Sequence, residues 1–236
     1  PNTAKLEYWD GNQFVNITTT SPEQHTGATR SVMAISYYAP SYRDDISFFD
    51  INSRGDAADF GNLTHVRGNG LSSAASSTRG IFAGGIRTSP TGSSNTIDFV
   101  TISSTGDATD FGDLIAKTEG SRGVNDGVRM ISAFGFDRAD WSYKLDFQVT
   151  TIASTGDAVD TGFDPIINQS FGGHCGSHTR GIFGGGSAPS QVNTITHLSI
   201  QTLGANSDFS DLTTIGGEGN TMASNAVRGI NFSGSS

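Results

Sequence analysis

Short apolar runs recur along the chain, each bounded by Gly, Ser, Thr, Asn or Asp. The stretch from Arg79 to Val128 shows the pattern in full. Gly80-Ile81-Phe82-Ala83-Gly84-Gly85 is an apolar run closed by a glycine pair, and Thr96-Ile97-Asp98-Phe99-Val100-Thr101-Ile102 is rich in β-branched and aromatic residues. Runs of this length and composition between turn residues predict strands. Ser104-Thr105-Gly106-Asp107 reads as a hairpin turn, and residues 109–114 as a short strand beyond it. A Gly/Ser-rich stretch, 121–127, then leads to the next arginine. The Ile97 run is apolar on both of its alternating faces, as in a sheet packed between two neighbouring sheets. The Gly/Ser-rich strand suits a crowded centre. The predicted unit has four strands: A (Gly/Ser-rich, innermost), B (opened by the arginine), C (the Ile97 run) and D (outermost).

Aligned on the arginine, five copies appear, at Arg30, Arg79, Arg129, Arg180 and Arg228, spaced by 49, 50, 51 and 48 residues. Arg-Gly-Ile-Phe itself occurs at 79–82 and 180–183. Strand C recurs at 46–51 and 194–198, and the C–D turn with strand D at 55–63 and 204–212. The third unit departs, with Thr161 where the others have Phe60, Phe111 and Phe209. A period near 50 built from short strands is the signature of a kelch-type propeller blade. The ends complement each other. The N-terminus opens with a C-like run (6–9) and a D-like run (14–17), and the C-terminus closes with an A-like run (221–226) and a B-like run (228–232). The expectation is all-β: one domain over 1–236, a five-bladed propeller of four-stranded blades. The blades fall near 22–63, 70–114, 121–163, 172–212, and 220–236 joined with 5–18. Pairing the two half-blades closes the ring and removes exposed sheet edges. An open solenoid, the alternative, leaves both half-blades unpaired. The chain opens at Pro1, which leaves room for flanking segments.

Composition narrows the partners. Gly makes up 31 of 236 residues, about twice its usual share, as tight turns demand. The net charge is −9, with lysine only at Lys5, Lys117 and Lys144. That argues against nucleic acid, whose phosphates call for clustered cations. A single cysteine, Cys175, excludes an internal disulfide. No apolar run reaches the roughly 18 residues of a membrane span, so membrane insertion is not expected.

The run Arg-Gly-Ile-Phe-Ala-Gly-Gly at 79–85, with the segment from Asn95 through Ser104-Thr105-Gly106-Asp107 to Asp110-Phe111-Gly112-Asp113-Leu114, resembles the kelch-like repeats of tailed-bacteriophage virion proteins, common in phages of marine bacteria and cyanobacteria. The opening Lys5-Leu6-Glu7-Tyr8-Trp9-Asp10-Gly11-Asn12-Gln13-Phe14-Val15 is similar to a short module of phage fibre and appendage proteins. The resemblance covers nearly the whole chain. It implies a propeller fold, a location on the particle exterior and other virion proteins as partners, but no particular ligand. The outer-strand tryptophan of cellular kelch repeats is replaced here by Phe60, Phe111 and Phe209, so partner-binding residues of cellular kelch proteins do not carry over.

Because strands alternate direction, the A–B and C–D turns share one face, and the B–C and D–A loops share the other. The C–D turns hardly vary (Arg54-Gly55-Asp56, Thr105-Gly106-Asp107, Thr155-Gly156-Asp157), whereas the B–C loops (37–45, 86–95, 136–144 and 186–193) vary freely. Variable loops on a rigid scaffold are where binding is usually placed. The first and third of them hold Tyr37, Tyr38, Tyr42, Arg43, Arg138, Trp141 and Tyr143, including four of the five tyrosines. Such residues dominate interface hot spots, and their rings also stack on sugars. The alternative is that these loops fold back and bury their own rings.

Other motifs read as scaffold. An arginine in every unit points to bonding between blades or within turns. Asp59, Asp110, Asp160 and Asp208 read as turn residues, since the dense oxygen spacing of a calcium loop is missing. On a strand, His174-Cys175-Gly176-Ser177-His178 places two histidines on one side, short of a zinc site. No cofactor and no metal is expected. A glycosidase needs two converging carboxyls. Of the four glutamates, Glu23, Glu119 and Glu218 fall near strand-A starts on the variable face, which makes a propeller glycoside hydrolase or other carbohydrate-active enzyme the rival reading. No nucleophile elbow or phosphate loop is present. The expected function is non-catalytic: a virion protein on a tail fibre, appendage or capsid surface, for adhesion to a host-surface glycan or for decoration of the particle.

Overall fold

The computed structural model describes residues 6–9, 12–17, 29–34, 37–38, 41–187, 190–204, 206–216, 219–225 and 227–232, with backbone alone at 6–9, 14–17 and 37–38. Every strand pairing described is antiparallel, and no helix occurs among these residues.

A hairpin of β1 (Leu6–Trp9) and β2 (Phe14–Ile17) comes first. The first unit contains β3 (Arg30–Ala34), the small hairpin β4 (Tyr37–Tyr38) and β5 (Ser41–Tyr42), then β6 (Asp45–Asp50) and β7 (Ala58–Asn62). In the second unit, β8 (Arg67–Gly68), β9 (Ser72–Ala75), β10 (Arg79–Ala83), β11 (Ile86–Thr88), β12 (Thr91–Thr101) and β13 (Thr109–Thr118) form one six-stranded sheet. The third unit has β14 (Arg122–Asn125), β15 (Arg129–Ala133), the small hairpin β16 (Phe136–Asp137) and β17 (Ser142–Tyr143), β18 (Gln148–Thr151) and β19 (Val159–Asp160). Next come β20 (Gly173–Gly176), β21 (Arg180–Gly184), β22 (Val192–Ser199) and β23 (Ser207–Gly216), and finally the hairpin β24 (Thr221–Ser224) and β25 (Gly229–Phe232).

The A-B-C-D order is present as β9-β10-β12-β13, β14-β15-β18-β19 and β20-β21-β22-β23, and as B-C-D in β3-β6-β7. Strand A of the first unit lies outside the described residues. The innermost strands stand side by side in chain order: β9 against β14, β14 against β20, and β20 against β24. Small residues on these strands allow the approach. A Cβ on Gly123 of β14 would come within 2.7 Å of the Ser73 carbonyl oxygen of β9.

The core lies between sheets. Val32, Ala34, Ile46, Phe48, Phe60 and Leu63 of the first sheet pack on Phe82 and Val100 of the second. Ile81, Ala83, Ile97, Phe99, Phe111 and Leu114 then meet Met130, Ile152 and Ala158 of the third. Val124, Ile131, Ala133, Phe147 and Val149 meet Phe183, Leu198 and Ile200 of the fourth. Strand C is apolar on both faces because it serves two of these cores. Each fully buried Ile or Phe stabilises the fold by ~1.5–3 kcal/mol, so the interfaces rather than the isolated sheets carry the stability.

Phe60 and Phe111 of strand D owe their burial to a β-bulge. Ile97 pairs with Gly112 and Asp98 with Asp110, leaving Phe111 as the extra residue. The same shift leaves Phe60 extra between Asp59 and Gly61, and Phe209 extra between Asp208 and Ser210. A bulge re-aims one side chain, here into the interface. The third unit has Thr161 at this place and no bulge, and its strand D shrinks to the two residues of β19.

Two devices join neighbouring sheets. The repeated arginine crosses the interface: Arg30 Nη1 donates to the Ile102 carbonyl at 3.1 Å, Arg79 Nη1 to those of Ile152 and Ala153 at 3.2 and 2.9 Å, and Arg129 Nη1 to Gln201 at 3.3 Å. The C–D turns of the second and third units also clasp strand D of the unit before them. Gly106 N donates to the Phe60 carbonyl, Ala108 N to that of Asn62, and Asn62 N to Asp107 Oδ1 at 2.9 Å. Gly156, Ala158 and Asp157 repeat this on Phe111 and Asp113. Gly61 and Gly112 have φ of +145° and +148°, and an added Cβ would sit on the Gly106 or Gly156 carbonyl. That is why Gly follows Phe in these two units.

One expectation needs correction. The segment 86–95 is not an open loop: it forms a hairpin in which β11 pairs with the extended start of β12 and with β8. Each terminal hairpin stands among the described pairings as a separate two-stranded sheet.

Candidate binding face

The B–C and D–A segments meet at one end of the sheets. Glu119, in the segment leading to β14, exchanges both backbone hydrogen bonds with Phe136 at the start of the third B–C loop, each at 2.9 Å. β8 and β11 make the corresponding contact in the second unit.

The third B–C loop is a hairpin with a fixed tip. Asp137 Oδ1 accepts from Ala139 N, and Asp140 Oδ1 accepts from Ser142 N at 3.1 Å and Ser142 Oγ at 2.6 Å. Lys144 Nζ donates to Asp140 Oδ2 at 2.6 Å and to Ser142 Oγ at 2.7 Å. The bonds from Lys144 and Ser142 hold the Asp140 carboxyl down at about 2. Arg138 N donates to Ser93 Oγ of the neighbouring sheet. Within this frame Trp141 adopts φ +54° and is 76% exposed. Strained backbone held by its surroundings clusters at functional positions. Phe136 supports the platform, with its ring edge-on to Trp141 at 5.8 Å and tilted against Tyr143 at 5.2 Å.

Arg138, 44% exposed along its side chain, turns its guanidinium to Glu119. Its Nε lies 2.8 Å from Glu119 Oε1, and the Glu119 carboxyl is buried. Glu119 is thus held by a cation, and the other two acids considered for hydrolysis, Glu23 and Glu218, lie outside the described residues. The first B–C loop is a second hairpin, with Tyr37 opposite Tyr42 and Tyr38 opposite Ser41. The side chains of Tyr37 and Tyr38 lie outside the described residues. Tyr42 is half-buried, and Arg43 pairs with Asp45 at 3.7 Å on the surface. The structure therefore brings Trp141 and Tyr143 together on Phe136, diverts Arg138 to Glu119, and keeps Tyr42 and Arg43 on a separate hairpin two units away. Phe136, Asp140 and Lys144 are additions to the predicted set. The alternation Asp140-x-Ser142-x-Lys144 was their local signal.

The remaining motifs are structural. Arg67 and Asp98 form a fully buried pair at 2.8 Å; the guanidinium also donates to the Gly84, Phe82 and Thr96 carbonyls, and Asp98 accepts from Thr64 N and Oγ1. Gln169 fills the equivalent place in the fourth unit, bonding the Phe183 and Thr194 carbonyls and Thr196. His174 and Cys175 lie on β20, while His178 beyond it donates from Nδ1 to the Asp126 carbonyl at 2.9 Å. Burial pushes the Cys175 thiol up. Among the described residues no three His, Cys, Asp or Glu side chains gather as for a metal ion. No helix among them is long and apolar enough to cross a membrane.

No protein-family model and no curated protein matches the chain. Among solved structures, the chain is similar to YjhT, a kelch-like β-propeller, with a TM-score of 0.63 at 10% identity over 76% of this chain. The matched region spans 62% of YjhT. At that identity the likeness shows the fold alone: an all-β, propeller-like stack of antiparallel sheets.

Proposed function

We propose that this chain is a non-catalytic attachment module on the exterior of a tailed-phage virion, built as a five-bladed ring closed by its terminal hairpins. It binds a host-surface glycan through the face that carries the B–C loops. One observation carries this reading: an indole held out in solvent by a loop whose polar groups are bonded to one another. A flat, fixed ring of this kind suits the apolar face of a sugar and costs little ordering on binding. The engagement of Glu119 by Arg138 favours binding over hydrolysis. Contact with another virion protein is the second use of the same platform, since it too calls for an exposed aromatic anchor.

The test is attachment of the purified protein to host cells and to immobilised host polysaccharide. Trp141→Ala combined with Tyr42→Ala is expected to weaken attachment at least ~10-fold, equivalent to ~1.4 kcal/mol, with the melting temperature preserved. Val159→Ala, exposed on the outer edge, is the control and leaves attachment intact. A folded double variant that attaches normally defeats the assignment. A wild-type protein that binds virion proteins but neither cells nor polysaccharide moves the function to decoration.

A further inference from the structure

The hairpin that carries Trp141 continues a register set by the neighbouring unit. Glu119 stands opposite Phe136, and Phe136 stands opposite Tyr143. Both pairings are antiparallel, so the next row on the same face of this small sheet, two residues on, is Lys117, Arg138 and Trp141. Neighbouring strands lie roughly 5 Å apart, which sets these three residues in a line about 10 Å long. The two rows differ in exposure. Glu119 is buried and Phe136 half-buried, whereas Lys117, Arg138 and Trp141 are all exposed.

The cations of the outer row are not spent within the protein. Glu119 Oε1 meets Arg138 through Nε at 2.8 Å. The end of the guanidinium, Nη1 and Nη2, and the Lys117 ammonium make no hydrogen bond or ion pair among the described residues. Lys144, by contrast, is engaged by Asp140 and Ser142. Lysine occurs only three times in this chain of net charge −9, and Lys117 falls directly across from an arginine. Like charges directly opposite each other destabilise a sheet. An anion held between them removes that cost, and the end of a guanidinium matches two oxygens of a carboxylate or phosphate. Beside them the Trp141 indole offers a flat surface to the apolar face of a sugar ring.

We propose that the row Lys117–Arg138–Trp141 is a subsite for an acidic sugar, with the ring on Trp141 and its carboxylate or phosphate oxygens on Arg138 and Lys117. The inference rests on the glycan reading above and names the class of glycan: a polymer with anionic residues, not a neutral one. The charge balance calls for such a local site. A protein of net charge −9 is repelled by an anionic polymer as a whole, so capture needs cations placed at the point of contact. Lys117 belongs to the second unit, on β13, and Trp141 to the third, so the subsite exists only where these two units adjoin.

The test uses immobilised host polysaccharide in three forms: native, carboxyl-reduced and dephosphorylated. Binding of the wild-type protein is expected to fall at least ~10-fold on one of the two treated forms, the loss of a charge-assisted bond. Loss on the reduced form identifies a carboxylate, and loss on the dephosphorylated form a phosphate. Lys117→Gln is expected to weaken binding of the native form at least ~5-fold, and to make no difference on the treated form that has lost the anion. Its melting temperature stays level or rises, because a like-charge pair is gone. Arg138→Lys, which keeps a cation against Glu119 but loses the planar fork, weakens binding of the native form as well. Arg54→Gln, exposed on a C–D turn of the opposite face, is the control and changes nothing. Equal binding of all three forms overturns the proposal. So does a Lys117→Gln protein that binds the native form as tightly as wild type, or one that melts lower, which assigns the lysine to the scaffold. A wild-type protein that binds none of the three forms removes the glycan reading itself, and this subsite with it.

Discussion

The guanidinium of Arg79 leaves its own sheet and donates to the main-chain carbonyl of Ile152 in the next, 3.2 Å away, while lying 4.6 Å from the centre of the Phe99 ring. One side chain thus joins the end of strand C in one unit to strand C of another. A charged donor on a carbonyl contributes about 1.5–3 kcal/mol. Arg79→Ala is expected to lower the unfolding free energy by that order in urea titration, and Arg79→Lys, which loses the planar fork, to recover only part of it. An unchanged midpoint in the Ala variant would show that the bond is made no better than water makes it.

Gly112 and Gly92 share nearly the same backbone, with φ of +148° and +153°, but not the same surroundings. A Cβ on Gly112 runs into the Gly156 carbonyl, and one on Gly92 meets nothing within 4 Å. Gly112→Ala should therefore cost about 1–3 kcal/mol more than Gly92→Ala, the usual penalty of overpacking. Equal losses would mean that backbone strain alone sets the cost and that the clasp yields.

The buried Arg67–Asp98 pair bridges the β8–β11 edge and strand C. Removing one partner strands a charge, so Asp98→Ala is expected to cost about 3–5 kcal/mol. Replacing both, as Arg67→Met with Asp98→Leu, should restore a large part, since the desolvation cost vanishes with the charges. Equilibrium unfolding of the two variants decides the matter; a double variant no better than the single one would mean that the bonds to the Gly84, Phe82 and Thr96 carbonyls matter more than the charges.

His174 sits on an inner strand where burial, and then the charge of Arg122, push its pKa down to about 4. The unfolded chain takes up this proton near the ordinary 6.5, the folded chain only near 4. Between those values the unfolded state binds more protons, so stability falls as pH drops from about 6.5 toward 4. The loss should be of order 1–2 kcal/mol after allowance for the half-exposed ring, and His174→Asn should flatten the melting temperature across that window. A slope that survives the substitution assigns it to another group.

The repeat was legible because each junction reuses the same local words. The arginine spacing located strand B in all five units, and Thr-Gly-Asp located the turn that proves to be the clasp. The recurring Phe of strand D was legible, but the bulge that turns Phe60 and Phe111 inward is a matter of register between strands and leaves only the following Gly as a trace. The pairs Arg67–Asp98 and Arg138–Glu119 were not legible. Their members are 31 and 19 residues apart on different strands or loops, and nothing periodic links them. Arg138 carried the composition of a binding residue and became a surface brace on the buried Glu119. Trp141 carried the same composition and stayed outside, because the bonds around Asp140 fix the loop beneath it.

The clasp between consecutive sheets has a direction. At the first two joints a turn reaches backward onto a strand edge that faces forward, so each of these joints is made from unlike halves. A whole repeat inserted at either joint would meet on both sides the halves it already fits. The number of units is then limited by how much curvature the small inner strands tolerate and not by any joint-specific chemistry. Duplication or loss of one 50-residue unit is the change this architecture absorbs most readily, and the loop platform travels with the unit that carries it.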